Sequence, residues 1–209
     1  MQGIIGKKVG MTQVYDQDGQ HVPVTVIEVG PCVVLQRKHA DRDGYEAVQL
    51  GFIDQKEQRL SKPLQGHFKK AGAAPKRIVR EFRVSADHAA KPGDTVTSEI
   101  FEQTTYVDVL GVTKGRGFQG VVKRHRMGGG PAAHGHTSHR RPGSIGMRTQ
   151  PGRIFKNKRM PGHMGNVNIT VQNLKVVQVR KEDNAILVRG AIPGPTGSIV
   201  VVRKAIKKG

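Results

Sequence analysis

Acidic residues are missing from one long part of the sequence. No Asp or Glu occurs between Asp108 and Glu182, although the whole chain holds 35 Lys and Arg against 16 Asp and Glu. The cationic excess is concentrated in this gap, because outside it the two signs come much closer to balance. A local cationic region without counter-charges indicates a densely negative partner. Nucleic acid is the first candidate and an anionic membrane the second.

Cysteine, aromatic residues and long apolar runs are also scarce. Cys32 is the single cysteine, so an internal disulfide is excluded and a reducing compartment is permitted. We expect it to be a small buried residue on a strand. No segment approaches the ~18 consecutive apolar residues of a membrane-spanning helix, and the N-terminal residues lack the apolar region of a signal peptide. We therefore expect a soluble, cytoplasmic protein that binds no membrane.

The acid-free stretch also lacks the groups that enzymes use. Acid–base catalysis needs a positioned carboxylate or a histidine oriented by one, and Ser138 next to His139 has no such acid nearby in the sequence. The aromatic fraction of 4% and apolar fraction of 36% are low for an enzyme of this size but sufficient for a small β core. We predict neither an enzyme nor a small-molecule substrate.

A glycine motif at residues 115–120 fits G-x-G-x-x-G. A dinucleotide site would also need a strand–helix–strand unit and an acidic residue about 20 positions later, and the sequence offers neither. The interpretation we favour is that these glycines let the backbone approach a phosphate closely, while Lys114 and Arg116 neutralise it.

Three histidines, His134, His136 and His139, follow the pattern H-x-H-x-x-H. A zinc site would need Cys or carboxylate companions, and the surrounding positive charge repels a dication. We interpret these histidines as neutral imidazoles that stack on bases or hydrogen-bond to ribose and phosphate. We expect no cofactor, apart from magnesium associated with an RNA.

The first part of the chain shows the pattern of short antiparallel strands. β-branched runs are separated by Asp-Gly and Gly-Pro turns at intervals of ~8–12 residues, which predicts a barrel or sandwich. Ser61 as N-cap and Pro63 in the first turn predict one short helix, Ser61–Ala71, within an insertion at about residues 53–77. The predicted strands are residues 9–15, 22–29, 32–38, 45–52, 78–84, 95–100, 106–112, 167–172, 174–180, 185–189 and 198–203.

Residues 113–165 interrupt this pattern. They contain 12 Gly and 4 Pro, and their few large apolar residues follow neither a helical nor a strand period. Such a segment cannot bury enough apolar surface to offset an ordering cost of ~1–2 kcal/mol per residue, so it needs an external partner. Since strands hold both of its ends, a doubled-back loop of this length would reach tens of Å at ~3.3 Å per extended residue.

The candidate nucleic-acid contacts are the cationic and imidazole side chains of this segment. They are Lys114, Arg116, Lys123, Arg124, His125, Arg126, His134, His136, His139, Arg140, Arg141, Arg148, Arg153, Lys156, Lys158 and Arg159. Folded RNA suits a Gly-rich cationic loop better than DNA does, because no recognition helix for a major groove is visible. A membrane-surface or chaperone-like basic protein is the rival class, disfavoured because the segment has no amphipathic helix.

Several blocks of the sequence, in this order, closely resemble the bacterial form of the universal large-subunit ribosomal protein three family. The blocks are GIIGKKVGMTQVY, GVTKGRGFQGVVKRHR, SHRRPGSIG, QPGRIFKNKRMPGHMGN and LVRGAIPGPTG, and the resemblance spans essentially the whole chain. It implies a mainly β fold, with a small translation-protein-type antiparallel β-barrel at residues 1–112 and 166–209. It also implies that residues 113–165 form a long basic loop that penetrates large-subunit ribosomal RNA.

The same resemblance implies partners and a location. The partners would be large-subunit ribosomal RNA and neighbouring large-subunit ribosomal proteins, with binding early in subunit assembly. One run would lie closest to the peptidyl-transferase centre and support its RNA without supplying chemistry. Its candidate residues are Ser144, Gly146, Arg148, Thr149 and Gln150. Where family members often have Trp after Lys-Arg, this chain has His125.

Overall fold

The computed structural model describes residues 2–86 and 88–208, and the chain divides into two compact units. The barrel unit is Met1–Val112 with Asn168–Gly209, and the excursion is Thr113–Val167. In the part of the chain that the structure describes, no helix is both long and apolar enough to cross a membrane.

The elements are short strands with few helices. The strands are β1 (Gly3–Tyr15), β2 (His21–Val29), β3 (Cys32–Lys38), β4 (Ala47–Asp54), β5 (Lys76–Arg83), β6 (Thr95–Val96), β7 (Tyr106–Val112), β8 (Gly117–Gln119), β9 (Gly162–Met164), β10 (Asn168–Arg180), β11 (Ala185–Arg189) and β12 (Ile199–Lys204). The α-helices are α1 (Ala40–Asp43), α2 (Lys62–Ala71) and α3 (Val121–His125), and two 3₁₀ turns cover Glu57–Arg59 and Ser98–Phe101.

A closed antiparallel barrel forms the centre of the barrel unit. Its strand order is β1-β12-β7-β10-β11-β2. The inward side chains are aliphatic and fully buried, among them Ile4, Ile27, Val109 and Ile186. Burying each such side chain contributes about 1.5–3 kcal/mol, so the alternating β-branched pattern is what closes the barrel. The predicted mainly β fold with an antiparallel barrel is confirmed.

A second sheet with the order β5-β4-β3-β6 belongs to the same unit. In the sequence, α2 lies between β4 and β5, which confirms the predicted helix. Ser61 is the N-cap residue, although its side chain makes no cap hydrogen bond; Pro63 sits in the first turn, and Gly72 ends the helix at φ +65°. The helix buries Phe68. Glycine suits that last position because a left-handed φ costs it nothing.

Three predicted strand assignments were wrong. The strand predicted to begin at Val9 begins at Gly3. The strand predicted for Thr95–Ile100 ends at Val96, and Ser98–Phe101 forms a 3₁₀ turn instead. That turn brings Phe101 fully into the core, and burial of a large aromatic outweighs the strand preference of its neighbours. The two strands predicted at 167–172 and 174–180 are one strand, β10.

Strand β10 continues through a shift in its register because the buried carboxylate of Asp108 accepts a backbone hydrogen bond there. The register against β7 shifts between Val171 and Leu174, and Asn173 takes a positive φ of 57°. The Asn173 backbone N–H donates to Asp108 Oδ1 at 2.9 Å, and the Ile206 N–H donates to Oδ2 at 3.4 Å. Asp108 is 1% exposed, so these amides satisfy a carboxylate that water does not reach.

The single cysteine is a core residue, as predicted. Cys32 is fully buried at the start of β3, and its Sγ donates to the Ile5 carbonyl oxygen at 3.5 Å. Burial raises the pKa of the Cys32 thiol to about 12. The thiol therefore stays protonated and unreactive at neutral pH.

Candidate nucleic-acid interface

The excursion begins and ends in a short antiparallel stem. Strand β8 pairs with β9, with Phe118 opposite His163. Below this pair, Thr113 N donates to Val167 O at 3.0 Å and Arg116 N donates to Met164 O at 2.9 Å. The excursion is thus held as a hairpin at its base, which adds local order to a segment predicted to be irregular throughout.

Gly165 allows the two segments of the stem to approach each other closely. Gly165 has φ +77°, and a Cβ added there would overlap the carbonyl oxygen of Lys114 on the opposite segment. The two segments can approach this closely only without a side chain. This glycine therefore fixes the width of the stem.

Helix α3 directs two of the candidate residues into the excursion itself. Arg124 Nη1 donates to the Met160 carbonyl oxygen at 2.7 Å, and His125 Nε2 lies 3.0 Å from the same oxygen. Both side chains are only partly exposed. A Cβ added at Gly162 would lie 2.6 Å from Arg124 Nη1, so the guanidinium packs directly on the returning backbone. These two residues hold the hairpin together, and Arg124 keeps other N–H groups for a ligand.

The three histidines of the H-x-H-x-x-H pattern lie in one compact turn. His139 Nδ1 is 2.8 Å from the Pro131 carbonyl oxygen, and His136 Nδ1 accepts from Ser138 N at 3.2 Å. The rings of His136 and His139 have centroids 6.3 Å apart. Across residues 2–86 and 88–208, the structure brings together no group of three or more His, Cys, Asp or Glu side chains with the geometry of a metal site.

The remaining Lys and Arg side chains of the excursion have no side-chain partner among the residues that the structure describes. Each is exposed, and no side-chain hydrogen bond or salt bridge joins any of them to another described residue. They are Lys114, Arg116, Lys123, Arg126, Arg140, Arg141, Arg148, Arg153, Lys156, Lys158 and Arg159. Cationic side chains that bind phosphates displace the counterions of the nucleic acid. Such binding requires many cations that are not already paired within the protein, as in this segment.

Exposed aromatic side chains accompany these cations. Phe118 is 76% exposed and Phe155 is 52% exposed. Exposed rings next to Lys and Arg are platforms on which bases stack. The sequence-based candidates did not include them, although Phe118 lies in GRGFQG and Phe155 in RIFKNKR, where an aromatic residue among cations was the available signal.

The run from Ser144 to Gln150 is exposed and bends sharply. Ser144 Oγ donates to the Gly146 carbonyl oxygen at 2.9 Å. An isolated bridge joins Arg148 to Pro151, and the Gln150–Pro151 peptide bond is cis. The Ser144 hydrogen bond and the Arg148–Pro151 bridge hold the bend locally, whereas the Arg148 side chain remains exposed.

Comparison with known proteins identifies the family of the chain. The family model for ribosomal protein L3 matches residues 67–185. The protein named large ribosomal subunit protein uL3 from Alkaliphilus metalliredigens is 50% identical over 209 residues, covering 100% of both chains. The protein of the same name from Deinococcus radiodurans is 54% identical over 208 residues, covering 99% of this chain and 96% of its own length.

Proposed function

Because the chain belongs to the ribosomal protein L3 family, we propose that its excursion is the part that enters large-subunit ribosomal RNA. Members of this family are structural, non-enzymatic constituents of the large ribosomal subunit, which is cytoplasmic in bacteria. Association with ribosomal RNA and with other ribosomal proteins follows from that membership. What remains to propose is which residues make the contacts and what they do.

The exposed, unpaired cations of the excursion carry the proposal. A protein surface that only faces water usually mixes both signs of charge, whereas the excursion has no carboxylate at all. The closely spaced phosphates of a nucleic acid supply the negative charge that the excursion lacks. Phe118 and Phe155 add stacking surfaces between the cations. Folded RNA offers both kinds of contact, while an anionic membrane offers only the charge.

The candidate contacts divide into two roles. Arg124 and His125 position the hairpin through the Met160 carbonyl oxygen. The exposed Lys and Arg side chains bind phosphates, and the exposed histidines His134, His136 and His139 face ribose, base or phosphate. Any magnesium at this interface would be held by the RNA rather than by the protein.

The bend at Ser144–Gln150 supports RNA near the peptidyl-transferase centre. The run has no carboxylate and no oriented base, so it contributes shape and one cation, Arg148, rather than chemistry. Early binding to the RNA during subunit assembly is part of the same proposal, since a segment that enters folded RNA is added most easily before the RNA closes around it.

The direct test compares RNA with vesicles across a range of salt concentrations. The full chain is titrated with a large-subunit RNA transcript and, separately, with phosphatidylserine vesicles. Arg140→Ala with Arg141→Ala should make the slope of log K against log salt shallower by about 1.4–1.8 for RNA, because each neutralised phosphate contributes ~0.7–0.9. The matched control, Lys56→Ala with Lys62→Ala, removes the same charge from exposed positions outside the excursion.

Two results would reject the assignment. An unchanged RNA slope in the arginine variant would mean that both side chains face solvent in the complex. Tighter binding to vesicles than to the RNA transcript at equal salt would favour the membrane-surface class instead.

A further inference from the structure

A cavity on the barrel unit is lined mainly by cationic and imidazole side chains. Its volume is about 340 Å³, and no Asp or Glu is among the described residues that line it. The charged and imidazole lining residues are Arg37, His39, Arg42, His67 and Lys70. None of them belongs to the excursion.

Three neighbouring elements bring these side chains together. Arg37 lies on β3 and His39 just after it, Arg42 lies on α1, and His67 and Lys70 lie on α2. His67 and Lys70 are three residues apart, so they share one face of the helix. His67 Nε2 lies 2.6 Å from Gln49 Oε1, which fixes the imidazole against the second sheet.

Among the charged and imidazole residues of the lining, Arg37 has a nearly buried side chain, at 7% exposure. Its Nη2 lies 2.5 Å from Glu46 Oε2 and donates to the carbonyl oxygens of Ser85 and Ala86 at 3.2 Å each. Its Nη1 is buried and has no hydrogen-bond partner among the residues that the structure describes. A buried guanidinium nitrogen without an acceptor is costly, and an anion oxygen bound close to it would relieve that cost.

Two carboxylates near the cavity limit how much negative charge it can accept. Glu46 pairs with Arg37 and lies 3.7 Å from His39 Nδ1, and Asp43 lies 3.4 Å from Arg42 Nη2. No salt bridge involves Lys70 in the described part of the chain. The cavity has three permanent cations, Arg37, Arg42 and Lys70, and two nearby carboxylates, Glu46 and Asp43. This balance suits a single phosphate group, whereas a di- or triphosphate would bring excess negative charge.

We propose that this cavity binds one phosphate group, and that in the ribosomal subunit it is a phosphodiester of RNA. Arg42 and Lys70 contact the phosphate from the exposed side, and Arg37, His39 and His67 complete the lining. The choice of RNA as the source rests on the proposed function, but the phosphate site itself does not. The barrel unit would then contribute an RNA contact of its own, separate from those of the excursion.

The test uses the full chain in two arms with a matched control. The site variant is Arg42→Gln with Lys70→Gln, and the control is Lys56→Gln with Lys62→Gln, which removes the same charge from exposed positions outside the cavity. The first arm titrates inorganic phosphate at constant pH and ionic strength and follows the imidazole NMR resonances of His39 and His67. The second arm measures binding to a large-subunit RNA transcript across a range of salt.

We expect saturable phosphate shifts at both histidines in the wild type and the control, and their loss in the site variant. The RNA salt slope of the site variant should be shallower than that of the control by about 0.7–0.9, the value for one phosphate. Lost phosphate shifts with equal RNA slopes would assign the site to a free phosphate instead. Site and control variants that behave alike in both arms would overturn the proposal. The variant with Arg140→Ala and Arg141→Ala tests RNA binding by the excursion separately. The phosphate site and the RNA-binding excursion can therefore be rejected independently of each other.

Discussion

The barrel unit and the excursion differ in where their side chains find partners. The barrel unit contains all 16 Asp and Glu residues and every salt bridge observed among the described residues. Its aliphatic side chains fill a common core. In the excursion, which the structure describes completely, Val121 is the one buried hydrophobic residue, and the cations other than Arg124 have no internal partner.

From this difference we infer that the two units obtain their stability from different sources. The barrel unit buries enough apolar surface to offset its own chain entropy. The excursion has a stem, a short helix and a few fixed bends, but its remaining cations and exposed rings have contacts only if a partner supplies them. Substitutions in the two units should therefore have different effects on stability and on RNA-dependent function.

The largest expected difference is in stability. Ile27 is fully buried in the barrel, and Ile154 in the excursion is 44% exposed. We expect Ile27→Ala to lower the free energy of unfolding by about 2–5 kcal/mol, and Ile154→Ala to change it by less than about 0.5 kcal/mol. Urea unfolding followed by far-UV circular dichroism measures both. Equal losses would mean that the excursion has a core of its own.

A smaller effect is expected from the bend of the excursion in assembled subunits. If Arg148 supports RNA near the peptidyl-transferase centre, Arg148→Ala should change the rate of peptide-bond formation about two- to ten-fold, the equivalent of one net hydrogen bond. Ser144→Ala should act in the same direction because it frees the Gly146 carbonyl oxygen. Affinity for antibiotics that bind this centre should shift as well.

The control for this comparison is Arg77→Ala in the barrel unit, an exposed residue on β5. All subunits must contain normal amounts of the mutant protein. If the Arg148 and Ser144 variants load normally and match the wild type in both rate and drug affinity, the bend is a passive spacer.

The smallest expected effect concerns acid stability. Glu81 accepts hydrogen bonds from Lys38 Nζ, Tyr45 and Gln49, and the bond from Lys38 is the main reason that its pKa is lowered. A lowered folded-state pKa means that the stabilisation is present above the unfolded-state pKa and is lost as pH falls through the folded-state value. The excursion, having no carboxylate, contributes nothing of this kind.

Thermal unfolding of the wild type and Glu81→Gln across pH 7 to 3 measures this effect. The difference in Tm should be largest near neutral pH and should close as Glu81 becomes protonated. A difference that stays constant down to pH 3 would show that the carboxylate charge of Glu81 is not what stabilises the sheet.

The barrel could be predicted from the sequence because its signals are local. Alternating residues such as those of β2, and the Ser61 and Pro63 start of α2, specify elements without reference to distant parts of the chain. The sequence did not predict the strand boundaries that depend on tertiary contacts. Burial of Phe101 ends β6 early, and Asp108, distant in sequence, keeps β10 continuous at Asn173.

The sequence predicted which segment holds the candidate site, but not which of its cationic residues turn inward and which stay exposed. Charge and the absence of acids identified the excursion, yet nothing in the spacing indicated that Arg124 and His125 bind the Met160 carbonyl oxygen while Arg140 and Arg141 remain unpaired. The fold of the hairpin decides which cations turn inward. The assignment of individual RNA contacts stays a prediction.

Amide hydrogen exchange tests whether the excursion gains most of its order from RNA. Residues 126–162 have few backbone hydrogen bonds, among them Gly130 N to His139 O at 3.0 Å, while the barrel strands are fully paired in a closed sheet. In the free chain we predict protection of the barrel strands and fast exchange from 126 to 162. With a large-subunit RNA transcript bound, that segment should become protected. Strong protection of 126–162 in the free chain, or no gain in protection when RNA binds, would mean that RNA is not what orders the excursion.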